Sequence, residues 1–400
     1  MDLHTGLPFW LIKDGLLFNY PKLSTDQNPD VVIMGAGMSG ALAAYHLTEA
    51  GIKSIIVDKR HIGLGSTCAS TSLLQYEIDT PLCQLQHKVG LQNAVRSYRL
   101  CERSIKKIGQ ISQKIGFDDF QYRNSLYYAA FKKDITFLKK EFDIRKKHGF
   151  DVAYLEENSI KKKFGFSSPG AILSAAGAQT NAYQFTRHLL QYSMKKGLKV
   201  YDRTAINKIA HHRNGVSLAT DDGCQIKTKK LIYANGYEAV QYIDKKIVDL
   251  QSTFACVSEQ ADRKTSLWKE DVLIWNTADP YLYMRTTDDK RMLIGGRDEK
   301  YYSPSKRDEQ LSKKIKQLVK DFNKVFPGIS FKPEFSWAGT FGATKDGLPY
   351  IGNYKKLPNS LFALGFGGNG ITFSLIAAEI LRDMILGKQN KDADIFSFER

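Results

Sequence analysis

The sequence predicts an α/β fold in which one domain is assembled from separated stretches of chain and interrupted by an inserted α+β domain. Three observations predict it. A short β-branched run, Asp30 to Met34, leads through a glycine turn into a helix-forming stretch, the opening of a βαβ unit. Glycine-rich turns return late, from Trp337 onward, and end in an apolar helix. Between these lie a Lys-rich helical stretch and a β-rich one, the material of a second domain.

Residues 1–29 mix aromatics with turn residues (Pro8, Phe9, Trp10, Tyr20, Pro21) and read as an extension packed onto a body. Asp30 to Met34 is a strand buried on both faces, and Ser39 to Ala50 a helix with Gly51 as its C-cap. Lys53 to Val57 is the second strand, closed by Asp58. Residues 85–150 are mostly helical in pattern, and 183–198 form an amphipathic helix. Short strands follow around Ile206 to Ile209, Val216 to Ala219 and Leu231 to Tyr233. A β-rich stretch runs from Phe254 to Ile294, and residues 305–325 are a charged helix. The expected division is 30–85, 172–240 and 336–400 for the interrupted domain, with 86–171 and 241–335 for the insertions.

With 42% hydrophobic and 12% aromatic residues, the chain can bury a large interior and is not disordered by composition. Lys and Arg outnumber Asp and Glu by 58 to 42, a net charge of +16. The basic residues are scattered in short groups without an interleaved aromatic pattern, so they read as solvated faces and not as a nucleic-acid surface. The five cysteines show no CxxC spacing and leave an odd number to pair. They read as reduced thiols in a cytoplasmic protein, and neither a zinc site nor a disulfide frame is expected. No leader-like start and no long uncharged apolar stretch is present, so no membrane span is expected.

Gly35-Ala36-Gly37-Met38-Ser39-Gly40 is a GxGxxG between a buried strand and a helix, a Rossmann-like arrangement. Gly35 permits the tight turn, Gly37 lets backbone approach a pyrophosphate, and Gly40 allows close helix–strand packing. The helix N-terminus at Met38 and Ser39 offers unpaired N–H groups to the anion. An acid about 20 residues on should take ribose hydroxyls, and Asp58 fits. An acid there disfavours a 2′-phosphate. The motif alone leaves NAD and FAD both open.

The segment Lys59 to Thr71 carries Gly65, Ser66, Thr67, Ser70 and Thr71, donors suited to a diphosphate and a polyol chain. Three later segments join it: Gly177 to Tyr183, Lys230 to Tyr237 with Asn235 and Gly236, and Trp337 to Gly352 leading to Gly365-Phe366-Gly367-Gly368-Asn369-Gly370-Ile371 and a helix. Their spacing resembles the D-amino-acid oxidase-like superfamily of flavoenzymes, which includes glycine oxidase and sarcosine oxidase. The resemblance runs from about residue 30 to 386. It implies FAD, bound extended between two domains, and oxidation of a C–N bond in an amine or amino acid by hydride transfer to flavin N5. It places the Ile206 backbone beside the adenine, and Gly367, Gly368, Asn369, Gly370 and Ile371 against the flavin. A helix starting near Gly370 then points its positive end at the ring edge that gains negative charge on reduction. Some members of that superfamily hold flavin through a cysteine in the Trp337–Asp346 region; this sequence has Gly339 near that place and no cysteine after Cys256, so the resemblance implies non-covalent FAD.

In glycine-oxidase-like sequences an arginine two residues after the Gly339 position pairs with the substrate carboxylate. Here that position is Phe341. Tyr281, Tyr283 and Arg285 alternate onto one strand face, and Arg285 is a substitute for that arginine or the partner of a structural carboxylate. Gln75 and Tyr76, past the hydroxyl-rich loop, are further candidates for the flavin and substrate. No Ser–His–Asp order, HExxH or P-loop appears, and no catalytic acid or base is assigned. The expected partners are a small amine or amino acid and either oxygen or an electron carrier. The alternatives are a flavin dehydrogenase feeding a carrier and, from another class, an NAD-dependent dehydrogenase.

Overall fold

The computed structural model describes residues 2–16, 18–262 and 267–400. A six-stranded sheet carries the βαβ unit. Its order is Lys199–Tyr201, Ser54–Val57, Val31–Met34, Lys230–Tyr233, Ser360–Leu364 and Tyr350–Asn353, with all neighbours parallel except the last pair. Strands from four distant stretches of chain therefore meet in one sheet; Val31–Met34 and Ser54–Val57 are buried along their whole length, and Lys230–Tyr233 is buried except at Lys230. Their apolar, β-branched composition suits burial on both faces. The helices Met38–Glu49, Ala182–Met194 and Gly370–Ile385 pack together on this sheet.

A nine-stranded mixed sheet forms the other half. Five of its strands, in spatial order, are His4–Gly6, Pro333–Ala343, Asp249–Ser258, Met292–Lys300 and Leu282–Thr286, all antiparallel. One face is covered by the helix Pro304–Val325, through Ile294, Phe254, Leu318 and Phe322. The opposite face carries Ala255, Leu293 and Trp337 and meets Phe9 and Trp10 of the N-terminal segment. The extension thus acts as a clasp: Trp10 Nε1 donates to the Ser70 carbonyl at 2.7 Å, and Asp14 accepts from Asn181 and Gln184.

Some boundaries differ from the sequence reading. The mostly helical stretch 85–150 also contributes the strands Phe120–Tyr122 and Ser125–Tyr128. The helix Leu91–Ile115 buries Tyr98, Ile105 and Ile108 in the same core as Ala41 and Leu375. The division expected at residue 336 falls inside the strand Pro333–Ala343 of the nine-stranded sheet, and that at 172 inside Gly170–Ser174.

Candidate active site

A cleft of about 360 Å³ runs from the glycine turn after Val31–Met34 to the face of the nine-stranded sheet opposite the helix Pro304–Val325. Gly35 (φ +105°) makes the turn that the motif requires, and a Cβ there would meet the backbone of Ala234 and Asn235. Gly40 packs so closely that a Cβ would enter the Gly35 carbonyl oxygen, so it shapes the turn from beneath and does not line the cleft. Gly37 is the N-cap of Met38–Glu49 and brings no capping side chain. The Thr67 hydroxyl accepts from Met38 N at 3.0 Å, which ties the hydroxyl-rich loop to the helix entry.

Asp58 accepts from Ala36 N at 2.7 Å and from Arg60 N at 2.8 Å, one bond to each oxygen. Its carboxylate is fixed at the end of its strand, facing the cleft with lone pairs to spare for ribose hydroxyls. Lys59 and Arg60 meet Glu238 across this end of the cleft, with Nζ–Oε1 2.8 Å and Nη2–Oε1 3.0 Å. Burial works to raise the Glu238 carboxyl, but the hydrogen bonds from Arg60 and Lys59 outweigh it and hold it at about 2. Sequence reading missed this clasp, because nothing in the spacing of Arg60 and Glu238 joins residues so far apart.

The N-terminus of Gly370–Ile385 opens on the same cleft, and Ser374 of its first turns lies 2.8 Å from the Ser39 hydroxyl. Two helix N-termini are therefore bound to each other where they face the cavity. Asn369 sits just behind, donating to the carbonyls of Glu77 at 2.7 Å and Gln75 at 3.2 Å. It anchors the helix start and does not line the cleft.

The cleft brings together Gly35, Gly37, Met38, Ser39, Asp58, Lys59, Gly65, Ser66, Thr67, Ser70 and Thr71. It also holds Ile206, Asn235, Gly236, Gly367, Gly368, Gly370, Ile371, Tyr283 and Phe341. Three expected substrate residues lie elsewhere. Tyr76 is buried, stacked on Phe150 at 5.4 Å with its hydroxyl 3.2 Å from Ser174. Gln75 donates to Ser125 at 3.3 Å beside a small side cavity. Arg285 does share a strand face with Tyr283, but Trp10 covers it, and Nη1 donates to the carbonyls of Ser72 and Thr180 at 3.0 Å. The alternation was read correctly; the cover came from a segment far away in sequence.

The wall of the cleft fits a flavin dinucleotide by its own unmet chemistry. Ser66 Oγ and Asn235 Oδ1 are buried and have no partner among the described residues. Both line the cavity. A buried polar atom left unpaired costs roughly 1–3 kcal/mol, so these atoms suit a polar ligand stretched along the cleft.

Comparison with known proteins decides between the two dinucleotides: the FAD-dependent oxidoreductase family DAO matches residues 30–384. The chain belongs to this family. FAD is its cofactor, and the nicotinamide alternative drops out. Glycine oxidase from Bacillus licheniformis is 23% identical over 92% of this chain and 96% of its own. Gamma-glutamylputrescine oxidoreductase from Escherichia coli strain K12 is 22% identical over 90% of this chain and 84% of its own. Among solved structures, glycine oxidase from Geobacillus kaustophilus superposes with a TM-score of 0.79, at 19% identity, covering 94% of this chain and 99% of that one. L-proline dehydrogenase from P.horikoshii gives 0.78 at 18% identity, covering 93% and 97%. No helix among the described residues is long and apolar enough to cross a membrane.

Proposed function

We propose that this DAO-family oxidoreductase oxidises a carbon–nitrogen bond of an amine or amino acid to an imine, which water then hydrolyses. The observation that carries this reading is the continuity of the cleft from the Gly35 turn to the side chains of Tyr283 and Phe341 on the nine-stranded sheet. FAD, when bound, supplies the hydride acceptor. The chain's own residues hold and orient: Gly37, Ser66 and Thr67 for the diphosphate, Asp58 for the ribose, and Gly367, Gly368 and the Gly370 helix end for the ring. The sheet face then walls the substrate and keeps water from it. The names of the two relatives, glycine oxidase and gamma-glutamylputrescine oxidoreductase, support C–N chemistry.

A flavin held without a covalent bond belongs to this reading, supported by a cleft lining that includes no cysteine or histidine among the described residues. The test is an absorbance spectrum of the purified protein before and after heat denaturation, followed by anaerobic titration with amines and amino acids. Visible flavin bands, released on heating and bleached by one class of compound, support the reading. Reoxidation in air then separates oxygen from a dedicated carrier. A colourless protein that takes up no added FAD sinks it.

A further inference from the structure

Beyond this reading, and resting on it, stands the charge that a β-bulge sets on the sheet wall of the cleft. The strand Met292–Lys300 does not alternate regularly. Its pairing with Asp249–Ser258 slips between Ser252 and Phe254, while Gly296 (φ +131°) and Arg297 (φ +59°) adopt left-handed backbone. This is a β-bulge, and a bulge re-aims the side chains beyond it. Before it, Leu293 and Gly295 face the cleft side and Ile294 the helix side. Regular alternation would put Arg297 on the cleft side with them. Instead Arg297 turns to the helix, pairing with both oxygens of Asp321 at 2.6 and 2.7 Å, and Asp298 lines the cleft. The extra residue exchanges a guanidinium for a carboxylate on the cavity wall.

We propose that this enzyme takes an amine bearing no carboxylate, with its cationic nitrogen recognised by Asp298 as the specificity-determining residue. Asp298 Oδ1 is buried and accepts no hydrogen bond from the described residues, so the wall presents a carboxyl oxygen whose acceptor capacity is unmet. Asp79 lies behind the wall, accepting from Gly368 N at 2.7 Å and the Tyr281 hydroxyl at 3.1 Å. The cations on the cleft wall among the described residues are Lys59 and Arg60, both paired with Glu238 at the nucleotide end. Arg285 is committed to main-chain carbonyls, and Lys314 lies on the helix side of the sheet, donating to the Arg297 carbonyl. A substrate carboxylate would meet no positive charge at this end of the wall and would face the Asp298 carboxyl. An organic cation would meet Asp298 and the rings of Tyr281 and Tyr283, 6.0 Å apart, whose faces attract cations.

The experiment uses the FAD-loaded protein and two inert probes, tetramethylammonium and acetate, with binding measured by calorimetry and by perturbation of the flavin spectrum. The expected result is binding of tetramethylammonium in preference to acetate, weakened about tenfold or more in Asp298→Asn, a loss of one favourable charge contact. A second variant, Phe341→Arg, adds a guanidinium to the same wall and is expected to reverse the preference; a gain of acetate binding cannot arise from misfolding. A loaded protein that prefers acetate, or that binds tetramethylammonium equally with Asn at 298, overturns the inference and leaves C–N oxidation standing. A chain that takes up no FAD overturns both.

Discussion

Arg285 Nη1 donates to the carbonyl oxygen of Ser72 at 3.0 Å, and the same nitrogen reaches the Thr180 carbonyl at 3.0 Å and that of Thr71 at 3.3 Å. Two indoles hold the preceding carbonyls: Trp337 donates to Ala69 at 2.8 Å and Trp10 to Ser70 at 2.7 Å. The loop that faces the cofactor is thus fixed by its main chain, from behind, while its hydroxyls stay turned to the cleft. Burial pushes the Arg285 guanidinium down to about 10, yet it stays charged at neutral pH.

Replacing Arg285 by Gln should therefore destabilise the protein by about 2–4 kcal/mol, because several charge-assisted bonds to buried carbonyls are lost together. FAD affinity should fall with it as the loop loosens. Denaturant unfolding and flavin titration measure the two effects. A variant with unchanged stability and FAD affinity but a raised KM would return Arg285 to a substrate role.

Gly37 and Gly40 belong to one motif but make different demands. A Cβ at Gly37 would lie 2.9 Å from the Thr67 hydroxyl, a side-chain atom that can yield, and φ there is ordinary. A Cβ at Gly40 would enter the Gly35 carbonyl oxygen, which is main chain and cannot. Gly37→Ala should give a folded protein with weakened FAD binding. Gly40→Ala should give a chain that unfolds at lower denaturant even without flavin. Equal stability of the two apoproteins would refute the distinction.

His46, in the helix Met38–Glu49, is buried, and its Nε2 has no partner among the described residues. Burial lowers it to about 4, with nearby Glu379 opposing and Arg382 and Lys107 assisting. Above pH 6.5 the folded and unfolded chains both hold it neutral. As pH falls from 6.5 toward 4 the unfolded chain takes up the proton first, so stability is lost in that window. The loss should reach about 2 kcal/mol between about pH 7.5 and about pH 5. His46→Gln should remove this share of the acid sensitivity in denaturant unfolding at the two pH values, and an unchanged pH difference would argue against it.

The nucleotide half was legible because its signals are local. Strand, glycine turn, helix and acid lie within about 30 residues, and each constrains backbone within its own neighbourhood. The sheet half was not. Period-two reading put Tyr283 and Arg285 on one face, as found, but gave no sign that Trp10 would seal the far end of that face. Asp298 was missed for a different reason. Counting alternate residues from Leu293 sends Arg297 to the cleft, and only the bulge reverses this. The Gly295-Gly296 pair was the available signal, since glycine inside a strand pattern marks a bulge or a close backbone approach. Both hold here: Gly296 takes the left-handed turn, and a Cβ at Gly295 would strike the Tyr283 ring.

The position of Asp298 also sets a pH dependence for cation binding. Burial raises its carboxyl to about 7; the Thr253 hydroxyl and Lys314 oppose the rise, and Asp79 and Asp279 add to it. Tyr281 and Tyr283, the other titratable groups facing it, are themselves raised and remain neutral through this range. Below about 7 Asp298 is protonated and carries no charge for a cation to meet; above it the carboxylate is present in full. Tetramethylammonium has no proton to lose, so any pH dependence of its binding belongs to the protein. Its affinity should rise about tenfold per pH unit below 7 and level off above. Asp298→Asn should bind weakly at every pH. A flat profile in the unaltered protein would place the charge that matters elsewhere than Asp298.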